Sequence, residues 1–143
     1  MKGDPKVMAA LQAQLRTELT TVDQFSQHAF RHEHQGRTVL AQAIEAAALR
    51  STAAGKVLSF RLLDLEGNPD AQGRDKITIG ENVREMLESD LRLEYTVRDQ
   101  LNTAIDTATG VRDWGSQRIF LDIFTDRETH LLLLERQLAQ LGT

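Results

Sequence analysis

The chain has 143 residues, of which 41% are hydrophobic, and a formal net charge of −4, which describes a globular protein of single-domain size. The chain has no basic cluster that would indicate a nucleic-acid partner, and no apolar run approaches the ~20 residues needed to cross a membrane. Because the chain has no cysteine, disulfides and thiolate metal sites are excluded. We therefore expect a cytoplasmic protein with no nucleic-acid or membrane partner, folded as one domain over residues 1–143.

Apolar residues repeat every three or four positions along four segments, which predicts four long helices. The first begins at the N-cap Asp4, followed by Pro5, and stops at Gly36. The second ends at Gly67, and the break between the last two lies near Gly110. The predicted ranges are about 4–35, 37–66, 82–110 and 113–141.

The link from Gly67 to Gly80 carries no helical pattern. Fully extended, its residues reach ~45–50 Å, whereas a helix of this size is ~42 Å long. The link can therefore run the whole length of the bundle and leave the second and third helices parallel. One long crossover of this kind predicts an all-α, ferritin-like four-helix bundle.

Four ionisable residues fall on the inward stripes of these helices: Glu18, Glu94, Arg127 and His130. Buried ionisable groups are costly unless they are paired or bind a metal. Two carboxylates and a histidine in one bundle indicate a metal site. An arginine at the same level indicates a site that an internal salt bridge has replaced.

Ferritin-like di-iron sites use one Glu from each of two helices and Glu-x-x-His from each of the other two. Glu18 and Glu94 fit the first role, and His130 fits the end of a Glu-x-x-His pair, but its partner position is Arg127. The matching window of the second helix, residues 51–54, reads Ser-Thr-Ala-Ala and offers no ligand. The chain thus keeps three of six expected ligands.

Several stretches resemble the bacterioferritin family over nearly the whole chain. They are MKGD at the start, Glu18-Leu19-Thr20, His28-Ala29, Leu65-Glu66-Gly67 with Pro69, IGENVREML from Ile79, Asp90-Leu91 with Leu93-Glu94, and Glu128 with His130. The resemblance implies a ferritin-like fold, an iron-storage shell, a diiron ferroxidase centre and a haem b between two subunits.

The departures from this family pattern fall at its functional positions. The resemblance implies that Ser51 and Arg127 replace the bridging glutamates, that Ala54 replaces a histidine ligand, and that Thr52 replaces the haem-ligating methionine. The sequence given ends at Thr143, so we expect the family's short fifth helix to be absent. Three further departures are Ala46 for an inner-surface histidine, Phe25 for a tyrosine and Leu133 for a tryptophan.

The resemblance therefore implies a shell subunit without a complete ferroxidase centre or haem ligand, building the shell alone or with an intact subunit. For this chain alone we expect no cofactor and no haem b, with iron binding left open. One alternative is an enzyme with a residual mononuclear metal site at Glu18, Glu94 and His130. Another is a ferritin-like interaction protein that forms no cage.

Other polar residues favour structural roles. We expect Arg127 to pair with Glu18 and Glu94 and so to neutralise them. His28 is expected to be a hydrogen-bonded structural residue, and Asp90 a polar core contact rather than a replacement ligand. His32 and His34, near the end of the first helix, are expected to be exposed.

Large apolar residues beside the inward stripes of the first two helices predict an oligomer. They are Phe30, Leu49 and Phe60. Exposed apolar groups of this kind usually mark an interface, and the resemblance implies a dimer that uses this face, within a larger shell.

Overall fold

The computed structural model describes residues 1–142 and confirms an all-α bundle of four long helices. They are α1 (Pro5–His34), α2 (Thr38–Asp64), α3 (Val83–Gly110) and α4 (Trp114–Leu141). The bounds lie within two residues of the predicted ranges. None of these helices is both long and apolar enough to cross a membrane.

The helix starts follow from capping chemistry. The Asp4 carboxylate accepts hydrogen bonds from the backbone N–H groups of Lys6 and Val7 at the start of α1, and Asp113 does the same for Ser116 at the start of α4. Asn82 caps α3 through Glu85 N–H. These side chains satisfy donors that the first helical turn leaves free.

The order of contacts shows how the helices run. Going along α1, Gln14 is hydrogen-bonded to Gln100, Glu18 pairs with the same arginine as Glu94, Arg127, and His28 is hydrogen-bonded to Asp90. Rising numbers on α1 therefore match falling numbers on α3, so these helices are antiparallel. Since α2 returns along α1 after a tight turn, α2 and α3 are parallel, as the long crossover predicts.

Two apolar clusters fill the bundle, one towards each end. The first includes Leu11, Leu58 and Leu101, and the second includes Phe25, Ile44 and Leu134. Between them lies a layer of buried polar and charged side chains. The fold thus isolates this layer from solvent on both sides, which makes its polar contacts strong and any missing contact costly.

The predicted exposure of His32 was wrong. His32 is fully buried, because the chain reverses at Gly36, where φ is +84°, and Arg37 then folds back over it. The Arg37 N–H donates to the His32 carbonyl, and its Nε donates to the His32 ring.

Candidate functional site

All four helices contribute to the buried polar layer. Glu18 comes from α1, Ser51 from α2, Glu94 from α3, and Arg127 and His130 from α4. Each is at least 95% buried. Because inward positions recur every three or four residues along a helix, each residue falls on the stripe that its neighbouring leucines define.

The Arg127 guanidinium lies at the centre of this layer. Its Nε donates to Glu94 Oε2 at 3.0 Å, and Nη2 lies 2.7 Å from Glu94 Oε1. Nη1 donates to Glu18 Oε1 at 3.2 Å and to Ser51 Oγ at 3.0 Å, while Nη2 donates to Thr21 Oγ1 at 3.0 Å. Every guanidinium nitrogen therefore has oxygen acceptors, and all four helices are tied to one cation.

Two carboxyl groups, those of Glu18 and Glu94, share one guanidinium in this layer. Burial raises the pKa of Glu94 to about 7, against the opposing effect of Arg127. For Arg127 itself, burial acts to lower the pKa, but Glu18 and Glu94 outweigh it and raise the pKa above its usual value. Gln14 Nε2 also donates to Glu18 Oε2 at 2.7 Å. The guanidinium thus stays charged and favours the ionised form of the Glu94 carboxyl group.

His130 is neutral at physiological pH. Burial, with the nearby charges of Arg127 and Arg50 acting in the same direction, lowers the pKa of His130 to about 3. Its ring lies 5.0 Å from the Phe25 ring, centroid to centroid, and neither ring nitrogen has a hydrogen-bond partner among residues 1–142. The ring is therefore held by packing rather than by polar contacts.

A second buried polar group lies one turn away on α3. His28 Nδ1 lies 2.7 Å from Asp90 Oδ1, which also accepts from Gln24 at 2.9 Å. The other His28 nitrogen, Nε2, accepts the Gly80 N–H at 3.1 Å. These roles place the imidazole proton on Nδ1. Burial raises the pKa of Asp90, which its contacts with His28 oppose.

The remaining positions implied by the family pattern lie on α2. Thr52 is exposed, and its hydroxyl donates to the Ala48 carbonyl of its own helix. Ala54 is partly buried and lines a cleft of about 270 Å³ between α2 and α4, together with Ile119 and Ile123. Neither side chain contributes a metal ligand.

Within residues 1–142, no three His, Asp or Glu side chains are arranged to share a metal ion. Two contacts of the layer escaped the sequence analysis: Thr21, which accepts from Arg127, and Gln14, which supports Glu18. Their helical spacing was the available signal, since Thr21 follows Glu18 by three residues and Gln14 precedes it by four.

The fold and this layer define a ferritin-like protein, and comparisons with known proteins agree. The family model for the ferritin-like domain matches residues 8–143. The bacterioferritin of Rhodobacter capsulatus is 36% identical over 139 residues, which cover 97% of this chain and 86% of that protein. The bacterioferritin of Mycobacterium avium is 35% identical over 138 residues, covering 96% and 87%.

Solved structures give the same result. The chain matches the structure of a mycobacterial bacterioferritin with a TM-score of 0.95 and 34% identity, covering 98% of this chain and 87% of that one. It matches Rhodobacter capsulatus bacterioferritin with a TM-score of 0.95 and 36% identity, covering 98% and 88%. That structure is described with a metal-free dinuclear site and haem iron. The chain belongs to the bacterioferritin family.

Proposed function

We propose that this chain is an iron-storage shell subunit whose own diiron and haem sites have degenerated. It builds the shell alone or together with an intact bacterioferritin subunit, to which Fe²⁺ oxidation would then fall. The observation that carries this proposal is the Arg127 guanidinium, bound between Glu18 and Glu94 in the buried layer.

The residues present do not fit a diiron centre. A metal bound by Glu18 or Glu94 would lie within about 4 Å of a fixed positive charge, and their repulsion in this interior is unfavourable. Ser51 and Ala54 supply neither a carboxylate nor an imidazole. Arg127 also uses the carboxylate oxygens that a metal would need. These features support a structural role for the layer.

We expect the purified homo-oligomer to oxidise Fe²⁺ no faster than a protein-free control. Oxygen reduction at a diiron centre needs two metals held close together, and the layer lacks bridging carboxylates. The measurement is the initial rate of Fe²⁺ oxidation in air at neutral pH, with an intact bacterioferritin as positive control. A rate well above the protein-free control would refute the proposal.

The residues also do not fit a haem held by two methionines. Thr52 offers a hydroxyl, which is a poor ligand for low-spin haem iron, and that hydroxyl already donates to the Ala48 carbonyl. After incubation with haem and removal of the unbound haem by gel filtration, the purified homo-oligomer should therefore show no Soret band, whereas Thr52→Met should gain one. An intense Soret band in the unmodified protein would contradict this expectation.

The α1–α2 face supports oligomerisation. Phe30, Leu49 and Phe60 are 51%, 65% and 56% exposed on it. A two-fold contact would bury this patch twice. We expect Phe60→Glu to shift the protein towards a 16.1 kDa monomer, while Leu132→Glu, at an exposed position on α4, should not. Light scattering measures the oligomeric state. If the unmodified protein is a monomer, both the dimer and the shell are contradicted; if it is a stable dimer, only the shell is contradicted.

A further inference from the structure

The cleft between α2 and α4 lies between two ion pairs that bridge these helices. Arg50 Nε lies 2.9 Å from Asp126 Oδ1 at one end. Beyond the other end, Arg61 Nη2 lies 2.6 Å from Asp113 Oδ1, at the start of α4. The two arginines are about 16 Å apart along α2, at 1.5 Å per residue. The bridges therefore fix the distance between the helices and keep the cleft of about 270 Å³ open between them.

Small and branched apolar side chains line most of this cleft. Three come from α2 and two from α4: Ala53, Ala54, Val57, Ile119 and Ile123. The two alanines leave the space unfilled because their side chains end at Cβ. Apolar surface of this kind is stabilised when another apolar group covers it and removes it from water. The cleft thus favours a ligand with an apolar body.

The charged groups at the cleft favour a cationic ligand over an anionic one. Two carboxylates and one guanidinium line it, those of Asp122, Asp126 and Arg50. Arg50 is already paired with Asp126. Asp122 lies one turn earlier on the same face of α4 and pairs with Arg118 at 3.1 Å, but these two side chains are 65% and 77% exposed. Such exposed pairs contribute little, so the Asp122 carboxylate remains available to a cation in the cleft.

We propose that the α2–α4 cleft is a binding site for a small organic cation with an apolar body, such as an aromatic amidine or amine. The apolar body would cover Ala54 and Ile123, and the cationic group would lie against Asp122. An apolar cavity of roughly 150 Å³ accommodates benzene, so this cleft has room for one substituted ring. An anionic group at the same position would be repelled by the carboxylate.

The site lies on a different side of α2 from the proposed dimer contact. At 100° per residue, Ala53 and Ala54 are roughly a quarter turn around the helix from Leu49 and Phe60. Binding in the cleft is therefore compatible with a dimer formed through the α1–α2 face. The site depends only on the α2–α4 lining, so it can fail without affecting the proposed storage role.

Three probes of nearly the same shape test the proposal: benzamidine is a cation, benzamide is neutral and benzoate is an anion. Isothermal titration calorimetry of the oligomer as purified should give one benzamidine per chain, with a Kd on the order of 0.1–1 mM. Benzamide should bind about three- to fivefold more weakly, and benzoate should give no measurable heat. Equal affinity for benzamidine and benzoate, or no benzamidine binding at millimolar concentrations, would overturn the proposal.

A substitution that fills the cleft locates the site. Ala54→Leu should abolish binding of benzamidine and benzamide, because the larger side chain occupies the space between the helices. Ala139→Leu, at an exposed position near the end of α4, is the matched control and should bind both probes as the unmodified protein does. Unchanged benzamidine binding by Ala54→Leu would place the probe elsewhere and refute the assignment.

A second substitution tests the role of charge and leaves the apolar lining intact. Asp122→Asn should weaken benzamidine binding to the level of benzamide and should leave benzamide binding unchanged. Because the Asp122 side chain is 65% exposed, we expect this variant to fold normally. Asp99→Asn, at an exposed position on α3, removes the same charge away from the cleft and should change neither affinity. Equal effects of the two substitutions on benzamidine would contradict a contact with Asp122.

Discussion

Replacing Arg127 with leucine is expected to lower the free energy of unfolding by about 3–5 kcal/mol, the usual cost of breaking a buried ion pair by removing one partner. The substitution would leave Glu18 and Glu94 facing each other in the interior without a cation. Ser51 and Thr21 would also lose their charged donor. Chemical denaturation at neutral pH measures the change.

Arg98→Leu provides the matched control for this substitution. Arg98 also pairs with a carboxylate, Glu128 at 3.3 Å, but both side chains are more than 40% exposed. Its removal should cost less than about 1 kcal/mol. Arg127→Lys should fall between the two, since it keeps the charge but cannot donate in the planar fork of a guanidinium. Equal losses for Arg127→Leu and Arg98→Leu would contradict a paired, buried Arg127.

The second large effect is a gain of function. The triple variant Ser51→Glu, Ala54→His and Arg127→Glu should oxidise Fe²⁺ well above the unmodified protein, because it restores the full set of carboxylate and imidazole ligands. Without metal, four carboxylates would crowd one buried layer and destabilise it. Fe²⁺ should therefore also raise the melting temperature of this variant. Oxidation rate and melting temperature measure the two effects.

A double variant separates the effect of restoring ligands from the effect of removing the Arg127 charge. Ser51→Glu with Ala54→His restores two ligands but keeps Arg127, so it should remain inactive because the guanidinium still occupies the layer. Arg127→Glu alone should also be inactive and less stable than the unmodified protein. Full activity in the double variant would show that Arg127 does not prevent metal binding.

The architecture followed from the sequence because the relevant signals are local. Asp4, Asn82 and Asp113 cap helices, and the 67–80 link is long enough to span the bundle, so the helix order and the crossover were predictable. The burial of His32 was not predictable, because it depends on Arg37 folding back after the Gly36 turn. The exposure of residues near helix ends depends on the path of the chain beyond the helix. The periodicity within one helix carries no information about that path.

The charged layer was partly predictable. Glu18, Glu94, Arg127 and His130 stood out because ionisable groups interrupt apolar stripes. Thr21 did not, because threonine is ordinary on an amphipathic helix, and only the position of the guanidinium gives its hydroxyl a role. The α1 side chains that bind residues 68–80 of the crossover were also not predicted. They bind an extended segment whose path along the helix is set by tertiary structure rather than by any local pattern.

Equilibrium metal binding tests most directly whether Arg127 has replaced the metal centre. The oligomer as purified should be titrated with Zn²⁺, and anaerobically with Fe²⁺, beside the variants Glu94→Gln and His130→Ala. We predict that these variants bind as much metal as the unmodified protein, because neither residue serves as a ligand while Arg127 fills the layer. One saturable equivalent per chain that both variants abolish would contradict this account.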